Sequence, residues 1–159
     1  MFLDELLKFS DSQALTATAL STNVVDIGAV DRNIGQGEPL GVLVVVEVAA
    51  DQTTGDEDYM FDVETASDAA ITTARKLLGR RIFESGTPTA PAEDADLLVA
   101  GFRFVIPIPP GGLSEAERYL ALRYTLAGTT PTVTVSAYLM PMSMIEAAKV
   151  AYPDAVTIS

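Results

Sequence analysis

Apolar and polar residues alternate at a two-residue period over several separate stretches of this chain, and that period belongs to strands with one face in a core and the other in water. It is clearest from Arg118 to Ala127, where Leu120, Leu122, Tyr124 and Leu126 share one face and Tyr119, Ala121, Arg123 and Thr125 the other. After the turn-prone Gly128-Thr129-Thr130-Pro131, the run from Thr132 to Met140 resumes it. There Val133, Val135, Ala137 and Leu139 oppose Thr132, Thr134, Ser136 and Tyr138. Two such runs around a short turn predict a hairpin.

Further strands follow from the same period. Phe102, Phe104, Ile106 and Ile108 form an alternating face ended by Pro109-Pro110-Gly111-Gly112, which cannot continue a ladder. Tyr59, Phe61 and Val63 oppose Met60, Asp62 and Glu64, and Leu40 to Val48 is apolar on both faces, as a central strand would be. With Leu15 to Leu20, Asn23 to Ile27 and Arg80 to Glu84, about eight short strands result, the pattern of an all-β sandwich, jelly roll or barrel. Ser67 to Leu78 reads two ways: a short helix capped by Ser67 or Asp68, or a strand through the β-branched Ile71-Thr72-Thr73. Phe2, Leu3, Leu6 and Leu7 recur at helical spacing, as does the stretch from Met142 to Ala151 before Tyr152-Pro153 stops it. The expected organisation is an N-terminal arm over 1–12, a β-sandwich over 13–140 and a C-terminal arm over 141–159.

A chain of 159 residues, 48% hydrophobic and 20% charged, suits one domain with a substantial core. Ten Lys and Arg against 22 Asp and Glu leave a net charge of −12, a field that repels phosphate backbones and anionic lipid, so neither nucleic acid nor membrane is the expected partner. The chain has no Cys, which excludes disulfides, thiolate metal sites and cysteine nucleophiles and leaves the redox compartment open. It has no His either, which removes the commonest general base and metal ligand, so no enzyme activity and no cofactor are expected. The acidic opening from Met1 to Glu5 is unlike a secretory leader, and the longest apolar run, Val42 to Val46, is far short of the roughly 20 residues a membrane helix needs. The expectation is a soluble protein made in the cytoplasm.

Three clusters invite a functional reading, each with a plainer one beside it. The stretch from Asp51 to Asp58 gathers four carboxylates, as calcium prefers, but lacks the EF-hand spacing and reads as a solvated hairpin loop. Arg75, Lys76, Arg80 and Arg81 are four of the ten basic residues. They suit either an acidic partner surface or charge balance on an exposed edge strand. Leu139, Met140, Met142, Met144 and Ile145 form a Met-rich cluster, adaptable to a partner or able to fold back over the sandwich. Glu93, Asp94 and Asp96, and separately Glu115 and Glu117, offer paired carboxylates of the kind a glycosidase needs, without a sign that they converge. Gly35-Gln36-Gly37 and Gly111-Gly112 match no phosphate-cradling motif.

Several stretches resemble the capsid cement, or decoration, proteins of short-tailed bacteriophages. They are Phe2-Leu3-Asp4-Glu5-Leu6-Leu7-Lys8-Phe9-Ser10-Asp11, Thr16-Ala17-Thr18, Ser21 to Gly28, Ile34-Gly35-Gln36-Gly37-Glu38-Pro39-Leu40, Glu117 to Thr125, and the ending Tyr152-Pro153-Asp154. The segment from Asp68 to Asp96 differs locally. The resemblance implies a jelly-roll antiparallel β-sandwich with short terminal arms. It also implies a place on the outer capsid surface of the virion, after synthesis in the host cytoplasm, where the protein clamps neighbouring major capsid protein subunits, often as a homodimer. On this reading Phe2, Leu3, Leu6 and Leu7 and the C-terminal Met140, Met142, Met144 and Ile145 supply apolar contact, with Arg75, Lys76, Arg80 and Arg81 as a charged rim. The rival is a carbohydrate-binding β-sandwich module on the virion surface, which would call for exposed aromatic platforms in a chain that has no Trp.

Overall fold

The computed structural model describes residues 7–28, 39–109 and 117–145. The alternating runs become strands β1 (Lys8–Leu15), β2 (Ala19–Leu20), β3 (Val25–Asp26), β4 (Leu40–Val48), β5 (Asp58–Ala66), β6 (Lys76–Glu84), β7 (Glu93–Asp94), β8 (Arg103–Pro107), β9 (Tyr119–Ala127) and β10 (Val133–Pro141). The first sheet has the order β1-β10-β4-β8 and the second β2-β9-β5-β6-β7, with β3 also paired to β9. All pairs are antiparallel except the short β6–β7 contact. Successive strands mostly switch sheets, which is the jelly-roll winding of an all-β sandwich.

That winding corrects the two expected hairpins. β9 and β10 lie in different sheets, as do β4 and β5, so the turn after Ala127 and the acidic loop after Val48 are crossovers. Alternation tells which face a residue uses, but not which strand lies beside it. The antiparallel neighbours along the chain are β5 and β6, paired from Asp58↔Glu84 to Thr65↔Lys76. Their connection includes the segment read as helix or strand, and it is neither until β6 begins at Lys76. Asp68 instead accepts hydrogen bonds from Thr72 N (3.1 Å), Thr72 Oγ1 (2.8 Å) and Thr73 N. These hold a loop in which Ile71 and Ala74 take φ of 55° and 53°. A β-branched residue there is strained, and Ile71 offsets the strain by burying itself on Ala66 and Ala121.

β4 is interior to its sheet, as expected. The N-terminal boundary is not where the spacing put it. β1 starts at Lys8 and Phe9 is wholly buried, so residues assigned to an arm over 1–12 already belong to the sheet, and the chain bends at 16–18 where a strand was expected. β1 hides its period because it is bulged, with Ser12 at φ 46°.

The interior is aromatic. Phe61 meets Phe83, Phe104 and Tyr124 edge to face at 5.9, 5.0 and 5.7 Å between ring centroids, the arrangement ring quadrupoles favour. Val42, Val44, Val46, Leu120 and Leu122 fill the space around them. Both seams between the sheets are drawn tight. On one side Ser10 Oγ and the Tyr124 hydroxyl share a hydrogen bond at 2.7 Å. On the other, β6 passes so close to β8 that a Cβ on Gly79 would stand 2.7 Å from the Pro107 carbonyl oxygen, so only glycine fits.

Candidate interaction surfaces

The acidic loop is a structural corner. Fully buried Glu57 accepts hydrogen bonds from the Thr54 hydroxyl and from the amides of Thr54 (2.9 Å), Gly55 (2.9 Å) and Asp56 (3.1 Å). The Thr54 hydroxyl, with those amides behind it, holds Glu57 below the usual carboxylate range. Asp56 reaches across to the other crossover, accepting from Thr129 N (3.1 Å) and Thr129 Oγ1 (2.9 Å), and these bonds lower its pKa too. The Asp51 amide donates to Thr132 O (2.9 Å), and the buried Tyr59 hydroxyl donates to the carbonyls of both Asp51 and Thr132. Burial pushes that phenol up to about 12. Gly128 sits at φ 91°, where a Cβ would collide with the Asp56 carbonyl. Two sheet-switching turns are thus laced together by the carboxylates that looked like calcium ligands. Among the described residues no group of three or more acidic side chains is disposed to hold a metal ion.

The four basic residues do not form one patch. Arg80 makes a two-pronged pair with Asp62, Nε to Oδ1 at 2.6 Å and Nη2 to Oδ2 at 2.8 Å. Glu64 is shared by Arg123 Nε at 2.8 Å and Arg75 Nε at 3.8 Å, and Lys76 lies 3.4 Å from Glu117. The carboxylates of Asp62 and Glu64 are buried beneath these cations on the outer face of the second sheet. Arg81, next in sequence to Arg80, falls opposite Phe61 on the inner face. Its guanidinium lies 5.9 Å from the ring centres of Phe83 and Phe104, in reach of cation–π attraction, and pairs with Glu93 at 2.6 Å. Charge balance is therefore the geometry found, and the strand period separates Arg80 from Arg81.

The C-terminal cluster folds back. Met140 and Ile145 are buried with Leu43 on the outer face of the first sheet, with Val45, Val105 and Met142 packed against them. Residues 142–145 are helical, and Gly41 lets Met142 Sδ come within 2.7 Å of where a Cβ would be. Met144 alone of the cluster is exposed. At the other end Leu7 packs against the main core, while Phe2, Leu3 and Leu6, the two glycine pairs, Glu115 and the chain after Ile145 lie outside the described residues. Asp94 caps the 3-10 turn Ala95–Leu97 by accepting from Asp96 N (2.9 Å), and Glu93 serves Arg81, so these carboxylates do not converge. Among the described residues no aromatic side chain is exposed, and no helix is long and apolar enough to cross a membrane.

Sequence reading missed one surface. Val48, Leu97 and Val99 are exposed large hydrophobics at one corner. In the sequence Val48 ends a core strand and Leu97 and Val99 flank the buried Leu98, and nothing in their period marks them as turned outward.

A search among curated proteins finds no match to the chain. The family Bbp16 matches residues 9–139, from the first sheet strand through nearly all of the last, and the chain belongs to the Bbp16 family.

Proposed function

We propose that this protein is a capsid cement protein of a short-tailed bacteriophage, binding the outside of the assembled head and linking neighbouring major capsid protein subunits. The observation that carries this reading is where the fold spends its side chains. Among the described residues most aromatic side chains are committed to the interior and only Tyr119 and Tyr138 are partly exposed on the outer faces, and buried carboxylates are committed to holding corners and faces together. What remains to act is the outer surface. The stretches that resemble cement proteins support the same reading, and so does an acidic charge suited to an external position rather than to packaged DNA.

Stabilisation by such a protein is linkage. Binding the assembled lattice more tightly than the free subunit favours assembly by the difference in binding free energy, and repeated attachment over a lattice adds avidity. Cosedimentation with mature heads and with unassembled coat subunits tests it. Preferential binding to heads is expected; equal binding to free subunits would refute the cement role.

A further inference from the structure

The corner formed by Val48, Leu97 and Val99 is built to be apolar and outward. A bulge between β4 and β10 sets Val135 against Val46 and Thr134 against Val48, skipping Glu47. Val48 is thereby rotated out of the core that holds Val46, and is 59% exposed. The hydrogen bonds Gly101 N to Val46 O (2.8 Å) and Ala50 N to Leu98 O (2.9 Å) extend the strand pairing past β8, so the segment that carries Val48 runs beside the segment that carries Leu97 and Val99. The capped 3-10 turn drives Leu98 fully into the core and leaves its neighbours Leu97 and Val99 at 42% and 54% exposure. Ala49 and Ala100 are exposed between them. Apolar side chains presented on neighbouring backbone segments already fixed by hydrogen bonds bind with little ordering cost.

The charges around it choose the partner. The flanking residues 47–51 and 93–103 carry Glu47, Asp51, Asp94 and Asp96, besides Glu93, which Arg81 pairs, against a single base, Arg103, and Glu47, Asp94 and Asp96 are exposed. Two copies meeting through this corner would set like charges against each other. An apolar surface edged with Lys or Arg is complementary in both respects.

We infer that Val48, Leu97 and Val99 form the docking corner for a basic-rimmed apolar surface of the major capsid protein. The identity of the partner rests on the cement reading. Titrating mature heads with the full chain and with the double variant Leu97→Ser/Val99→Ser, followed by cosedimentation, tests the inference. The variant should bind about 10- to 100-fold more weakly while melting only slightly lower, because both side chains are about half exposed. Val48→Thr, which keeps the β-branched shape, should weaken binding less. Asp96→Lys should weaken it several-fold at low salt, with the difference closing at high salt. If the natural chain binds heads and the double variant binds equally well, the docking corner is wrong and the cement reading stands. If the natural chain fails to bind heads at all, the cement reading falls and the assigned partner falls with it. If the double variant instead abolishes self-association of the free protein, the occupant is a second copy and the inference is overturned.

Discussion

The outer faces of the two sheets are finished by different chemistry. On the first sheet, Leu43, Val45 and Val105 point away from the core and are covered by Met140, Met142 and Ile145, so the chain supplies its own apolar lid. On the second, Asp62 and Glu64 point outward and are covered by Arg80, Arg123 and Arg75, so charge does what aliphatic packing does opposite. Burial of apolar area is not screened by salt, whereas an ion pair near the surface is. Among the described residues Leu77 and Met144 are exposed singly, and the other three exposed large hydrophobics, Val48, Leu97 and Val99, lie at the corner between β4 and the segment leading into β8. The residues that looked most available for contact are largely in use, and the available ones lie where the strand pattern breaks.

The comparison breaks first if the lid is decorative. Ile145→Ala removes a side chain that is 1% exposed and should cost about 2–4 kcal/mol, measured by chemical denaturation, with no decrease as salt rises. Arg80→Met comes next. It leaves the buried Asp62 carboxylate without the guanidinium that pairs with it, for about 1–2 kcal/mol at low salt, and the loss should shrink as salt rises. Adding Asp62→Leu to that variant should recover most of the stability, since an apolar pair can replace a buried ion pair.

Acid should act on the loop over the second sheet. Amide and hydroxyl donors of Thr73 and Thr72 hold Asp68 at about 2, below its ordinary value of 3.8. A depressed folded value means the ionised form stabilises the fold, fully above the ordinary range and progressively less as pH falls through it toward about 2. Asp68→Ala should therefore flatten the fall in melting temperature over that window. The smallest effect is at Asp58. Burial, with Glu84 and Asp56 nearby, raises its pKa, so its ionised form is mildly unfavourable and Asp58→Asn should raise the melting temperature slightly at neutral pH.

Much of the fold was legible because the two-residue period is written plainly in β5, β8, β9 and β10, and the run apolar on both faces marks β4 as central. Strand adjacency was not, since Leu126 and Val133 face the same core whether β9 and β10 pair in one sheet or face each other from two. β1 was obscured by its bulges and by Ser10, a polar residue buried to meet Tyr124. The basic cluster was read along the chain, where Arg80 and Arg81 are adjacent, although alternation sends them to opposite faces. The exposed corner was illegible because a single skipped residue, Glu47, decides which way Val48 points.

Hydrogen–deuterium exchange of the protein, free and bound to mature heads, tests the central claim that contact is made at the corner and not on the finished faces. Binding should slow exchange over 47–51 and 95–101 and leave 60–64 and 78–82 unchanged. Protection confined to β5 and β6, with the corner exchanging as fast as in the free protein, would contradict it.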